Sequence, residues 1–238
     1  MLVARTVNVA ERTARRDAIL DAVQRLILSK GHERLTVQDI LDDLQISKGA
    51  FYHYFDSKPA VIEGLTQRLV SDSQTALTPI VEDHELKAFE KLQQFFNEII
   101  RWKSLRQNLF VAMLPVWYSP DNLPFRVRLD MAVAEQLAPL LTAIVRQGVD
   151  EQVFVTAYPE HAGPIIIALI QSLQDAMAQQ LLELGSQSRS PARAKDMVAA
   201  YGAHIEAIER YLGIPAGTLY RADSRAVNNW IAARRRAQ

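Results

Sequence analysis

Five histidines, His32, His53, His84, His161 and His204, are the residues from which a catalytic or metal centre would be assembled. None of them belongs to an HExxH pair or a comparable ligand spacing, and His161 alone fits a helix start at a surface better than a ligand. The chain has no cysteine, which removes thiolate ligation, thiol nucleophiles and disulfides. No GxSxG elbow, phosphate loop or dinucleotide glycine pattern occurs. These absences argue against an enzyme, a metal site and a cofactor. The spacing that does carry chemistry lies between Ser47 and Phe55. A helix opening after Ser47 carries Phe51 and Phe55 on one face and turns Lys48, Gly49, Ala50, Tyr52 and His53 outward. That outward face is small at one end and aromatic with hydrogen-bond donors at the other, which suits entry into a DNA major groove. Gly49 strengthens the reading, because glycine early in a helix costs about 0.5–1 kcal/mol relative to alanine unless something must approach closely.

The elements that must hold this face are written nearby. Thr36 stands as an N-cap with Asp39 three residues on, flanked by Leu35 and Ile40 at staple spacing. Ser47 repeats the arrangement, with Ile46 before it and Phe51 after it. Upstream, Ala18, Ile19, Ala22, Val23, Leu26 and Ile27 predict an amphipathic helix from about Ala14 to Lys30, closed by Gly31. No proline precedes Pro59, so residues 1–58 form a compact three-helix unit with two short helices joined by a tight turn. The string SKGAFYHYFDSK, residues 47–58, resembles the recognition helix, the following turn and the start of the fourth helix in the TetR family of bacterial transcriptional regulators. Two positions depart from the family pattern: Leu41 replaces a small residue, and Gln45 stands where glycine commonly makes the turn. A left-handed backbone at Gln45 would be strained, so a slightly different turn is expected.

Beyond Pro59, helical patterns continue to Gly213 and predict an all-α fold, with residues 59–214 as a larger helical body and residues 215–238 as a basic extension. Pro79 is expected to stop the helix that begins near Ser57, Pro115 to break a short helix from Asn108 to Trp117, and Pro139 to kink the next. Val153 to Tyr158 is too short and solitary for a sheet and is expected to be a connector. The net charge of zero divides unevenly. Residues 1–58 carry nine Lys+Arg against eight Asp+Glu, the body thirteen against eighteen, and the extension five against one. The weak basicity of the first segment is offset by position, with Arg5, Arg12, Arg15 and Arg16 at or before the first helix and Asp39, Asp42 and Asp43 facing away from DNA. In the extension, Ala226, Trp230 and Ile231 are spaced for a short amphipathic helix lying on the body. A solvated tail, and a contact of Arg234, Arg235 and Arg236 with an acidic partner, stay open. With 49% hydrophobic residues, no signal-like N-terminus and no apolar run near 20 residues, a globular cytoplasmic protein without membrane partners is expected.

The resemblance implies more than the residues alone. It implies a homodimer on an inverted-repeat operator of double-stranded DNA, with Ser47, Lys48, Gly49, Ala50, Tyr52 and His53 facing the groove and Thr36 and Lys58 holding phosphates. It implies dimerisation through the last two body helices, with Ile166, Ile170, Leu173 and Met177 on one and Met197, Tyr201, Ile205 and Ile208 on the other. It implies a repressor released by a small lipophilic effector, for which Trp102, Phe110, Met113 and Trp117 are the candidate contacts beside the short helix that borders the family's cavity. An effector-independent dimer and an activator need no different helices.

Overall fold

Ten α-helices account for most of the chain in a computed structural model that describes residues 2–184 and 191–237, without the side chains of residues 2–9 and Pro191. Arg5 therefore lies outside the described side chains. Two compact units separate between Leu69 and Val70. In the first, α1 (Leu2–Lys30) packs on α2 (Val37–Leu44), followed by α3 (Lys48–Tyr52) and the opening of α4 (Lys58–Glu82). The core of this unit is Ile19, Leu20, Val23, Ile27, Leu35, Ile40, Phe51, Phe55 and Val61, each at most 5% exposed. Leu20 enters it where periodicity alone pointed to Ala18, which is exposed. Gly31 closes α1 at φ 79°, with its N–H on the Ile27 carbonyl at 3.0 Å, as a helix C-terminus requires.

Gly64 is the less obvious glycine of this unit. A Cβ there would meet Phe55 Cε1 at 2.7 Å and Arg16 Nη2 at 3.2 Å. The Phe55 ring lies against α4 at this point, and the Arg16 guanidinium sits 5.2 Å from the ring centre. Arg16 is thereby a packing residue of the three-helix unit.

The second unit contains α5 (Ala88–Leu105), α6 (Gln107–Trp117), α7 (Leu123–Asp150), α8 (Ala162–Leu182), α9 (Pro191–Leu212) and α10 (Ser224–Arg236). Short 3-10 turns, Pro120–Asn122 and Pro159–His161, precede α7 and α8. The closest pairing is α7 with α8, made possible by Gly163, where a Cβ would sit 2.0 Å from the Ala138 carbonyl oxygen. The core runs through Leu92, Phe95, Leu141, Ile144, Phe154, Ile166, Ile205 and Leu212. No strand occurs among the described residues. Residues 153–158 do form a connector, pinned by buried Phe154 and by the Val155 N–H on the Leu212 carbonyl at 2.9 Å.

Pro79 does not stop its helix and Pro115 does not break its own. Pro79 lies inside α4, Pro115 inside α6 and Pro139 inside α7, and each helix continues through its proline. Each proline removes one i to i−4 bond. Pro79 and Pro139 are on the solvent side, where the freed carbonyl meets water, and Pro115 is flanked by buried Met113, Leu114 and Val116.

The extension is part of this unit. Glu209, fully buried on α9, accepts hydrogen bonds from the N–H groups of Gly217 (3.0 Å) and Leu219 (2.8 Å) and from Arg221 Nη2 (2.7 Å). These bonds fold residues 215–221 back onto α9 and deliver α10 to the surfaces of α6, α9 and α8. Val227 and Ile231 are buried, and Arg234, for which contact with an acidic partner stayed open, is 8% exposed with Nε 3.4 Å from the Leu181 carbonyl.

Candidate functional site

The surface on α3 forms for local reasons. Ser47, extended at φ −72° and ψ 155°, caps the helix by accepting the Ala50 N–H at 3.2 Å. Phe51 is fully buried and Phe55 nearly so, which orients the short helix. Ser47, Lys48, Gly49, Ala50, Tyr52 and His53 are all exposed, as the spacing predicts. The Tyr52 ring, 41% exposed, lies edge-on to Phe51 at 5.3 Å with Lys48 Nζ 5.9 Å from its centre. A Cβ on Gly49 would meet nothing nearer than Ser47 Oγ at 4.0 Å. The protein's own packing therefore makes no demand for glycine there, and the face is flat and open at its centre. The preceding turn keeps the left-handed backbone, with Gln45 at φ 52° and ψ 42°, so the substitution for glycine is accommodated as strain and not by a different turn.

Thr36 and Lys58 are exposed and half-buried respectively, and both are engaged within the protein. Thr36 and Asp39 form a reciprocal capping box: the Thr36 N–H donates to Asp39 Oδ2 at 2.7 Å, and the Asp39 N–H donates to Thr36 Oγ1 at 3.2 Å. Lys30 Nζ reaches the same carboxylate at 2.5 Å. The hydrogen bond from Lys30, then those from Thr36, hold the Asp39 carboxyl down at about 2. Lys58 Nζ donates to the His32 carbonyl at 2.7 Å, just past the C-terminus of α1, and burial pushes its ammonium below the ordinary lysine value. Its charge stabilises that terminus. The sequence reading missed Lys30, whose pairing with Asp39 depends on how α1 packs against α2. Arg15, expected near the duplex, pairs with Glu11 at 2.6 Å.

In the second unit, the four candidate effector residues come together. Phe110 lies 5.7 Å from Trp102 and 5.6 Å from Trp117, both edge to face, and Met113 is fully buried beside them on α6. Two further residues join the cluster. Trp230 of α10 contacts Phe110 at 6.5 Å, and Arg106 stacks on Trp102 with its guanidinium carbon 4.5 Å from the ring centre. Lys103, next to Trp102, has its ammonium pushed down to about 8 by burial. Nearby, Tyr118 donates to Asp175 at 2.7 Å and ties the end of α6 to α8. Trp230 as a partner of Phe110 was beyond sequence reasoning, because 120 positions separate them.

The residues expected to pair two copies divide by burial. Ile166, Leu173, Met197, Ile205 and Ile208 are at most 8% exposed in the single chain, where they pack in the protomer core. Ile170, Met177 and Tyr201 are half-buried. Helix α8 is apolar on several sides, and its outward residues include Ile165 (39% exposed), Ala168 and Ser172. The stretch Pro159–Leu182 is, by length and composition alone, long and apolar enough to cross a membrane. On α9 the outward residues include Ala199 and Ala203.

Residues 19–65 match the model of the N-terminal region of bacterial regulatory proteins, tetR family, which covers α2, α3 and parts of the helices flanking them. The HTH-type transcriptional repressor DhaR of Mycobacterium sp. strain GP1 is 32% identical over 89 residues, 37% of this chain and 45% of that protein. The HTH-type transcriptional repressor KstR2 of Rhodococcus jostii is 33% identical over 61 residues, 26% of this chain and 30% of that protein. The match thus spans less than half the length of either relative. A transcriptional regulator from Cytophaga hutchinsonii shares the fold at a TM-score of 0.59 and 15% identity, over 80% of this chain and 96% of that one. Residues 19–65, which hold the capped α3 with its outward Lys48, Tyr52 and His53, are thus similar to the N-terminal region of tetR-family bacterial regulatory proteins, and the helical body after them shares the fold of a solved transcriptional regulator.

Proposed function

We propose that this protein is a cytoplasmic transcriptional regulator, most simply a repressor, that binds an inverted-repeat operator as a homodimer and is released by a small lipophilic effector. The observation that carries the reading is the α3 face: five exposed residues around an open Gly49, where the helix bears a cost its own packing does not require. DNA entering the major-groove side of α3 supplies the reason for that glycine. Tyr52, His53 and Lys48 divide between base edges and phosphates, and Ser47 and Ala50 permit close approach. A single five-residue helix contacts too few base pairs to select a site in a genome, and pairing two copies doubles the contact. The outward stripe of Ile165, Ala168 and Ser172 on α8, with Ala199 and Ala203 on α9, is the surface on which a twofold mate fits, because small residues let helices approach closely.

The effector acts at the Trp102, Phe110, Met113 and Trp117 cluster. Helix α4 runs unbroken through Leu69 and Val70, and a body shape favoured by the effector alters the spacing of the recognition helices through it. The shift is bounded by the effector's differential affinity for the two shapes. Selecting bound duplexes from a random pool tests the reading. A palindromic site is expected, with Tyr52→Ala losing at least ten-fold in affinity for it. Recovery of no palindrome, or a Tyr52→Ala protein binding as tightly as the parent, would overturn it.

A further inference from the structure

We propose that α10 is a displaceable lid whose Trp230 occupies, in the effector-free protein, the aromatic surface that the effector takes. The inference rests on the assignment of the Phe110 cluster as the effector site and adds how that site is regulated. Phe110 is the hub of the cluster, meeting Trp102, Trp117 and Trp230 at 5.7, 5.6 and 6.5 Å, all edge to face. Trp102 and Trp117 are buried on α5 and on the hub's own helix α6, whereas Trp230 is half-buried and arrives from the extension. An indole resting edge-on against a phenyl ring defines what replaces it: a planar aromatic ligand of one or two rings. Arg106 on Trp102 favours an acidic group on that ligand.

The attachment of α10 is suited to release. The helix has thirteen residues, too few to be stable alone, and carries Arg225, Asn228, Asn229, Arg235 and Arg236 among them. Its buried residues are confined to Val227, Ile231, Ala233 and Arg234. Its root is firm, because Glu209 holds residues 217–221 on α9. A helix fixed at one end, with four buried residues along its length, opens without unfolding the body. Opening also has a consequence for α8. Arg234 Nε sits at the Leu181 carbonyl in the last turn of α8, so departure of Trp230 withdraws a cation from the end of a helix proposed to pair the two copies.

The three tryptophans of the chain are Trp102, Trp117 and Trp230, so selectively excited tryptophan fluorescence reports on this cluster. Titration with 1-anilinonaphthalene-8-sulfonate, a two-ring aromatic anion, uses the full-length protein. Binding to the parent at one site per protomer is expected to red-shift the tryptophan emission as Trp230 moves into water. Trp230→Ala should bind the probe at least ten-fold more tightly, with saturating one-site behaviour and an unchanged near-ultraviolet dichroism elsewhere. If Trp230→Ala loses its native dichroism, Trp230→Phe serves in its place and should tighten binding about three-fold. Equal affinity in parent and variant, with saturable binding in both, overturns the lid and leaves the effector site standing. Absence of saturable binding to either variant overturns both. Tighter binding by the variant, with operator affinity indifferent to the probe in parent and variant, supports the lid and tells against release by an effector of this class.

Discussion

Gly49 and Gln45 are the two residues whose backbone cost is plainest, and they lead to opposite tests. Gly49 has open space where a Cβ would go, so Gly49→Ala is expected to stabilise the free protein by about 0.5–1 kcal/mol in chemical denaturation. The same methyl projects from the proposed groove face and should weaken operator binding ten-fold or more in a titration. A variant that is stabilised yet binds normally removes the argument for DNA at this position. Gln45 bears a left-handed φ of 52°, and Gln45→Gly should gain about 0.5–1 kcal/mol with no change in DNA affinity, since the residue turns the chain and faces no groove. The α3 face was legible in the sequence because a cap, a staple and a period of 3.6 residues are all local. The Lys30–Asp39 pair and the Lys58–His32 contact were not, because they are set by how α1 lies against its neighbours.

At the scale of elements, α9 and the segment after it are joined by one carboxylate. Three donors, the N–H groups of Gly217 and Leu219 and the Arg221 guanidinium, hold the buried Glu209 below the usual carboxylate range, although burial by itself opposes ionisation. A depressed carboxyl contributes stability that is present above the unfolded value of 4.5 and lost as pH falls through the folded value. Glu209→Ala should therefore cost about 3 kcal/mol at pH 7, by stranding buried donors, and the deficit relative to the parent should shrink in melts taken progressively below pH 4. A pH-independent deficit would show that the carboxylate's charge is irrelevant. The helices themselves were readable from apolar periodicity, including α10 from Ala226, Trp230 and Ile231. What misled was proline: its removal of one hydrogen bond is a local cost, whereas the burial around Met113, Leu137 and Leu141 that outweighs it is a property of packing.

The whole molecule depends on which side of α8 is inward, and periodicity could not decide this because Ile165, Ile166, Ile167, Leu169 and Ile170 surround the helix. Burial separates them and yields a paired test. Ile165→Glu should leave the protomer's melting temperature within about 2 °C of the parent while converting a dimer to a monomer in sedimentation and abolishing tight operator binding. Ile205→Ala, at a site 2% exposed, should instead cost about 3 kcal/mol of protomer stability. A monomeric parent protein, or an Ile165→Glu protein that still sediments as a dimer, places the interface elsewhere. The close approach of α7 and α8 at Gly163 has a further consequence. Because main chain meets main chain there, no rotamer change can cushion a displacement, and the pair must travel as one rigid plank. Amides near Ala138, Thr142 and Ile166 should accordingly be the last to exchange with deuterium on warming, outlasting every other helix of the body.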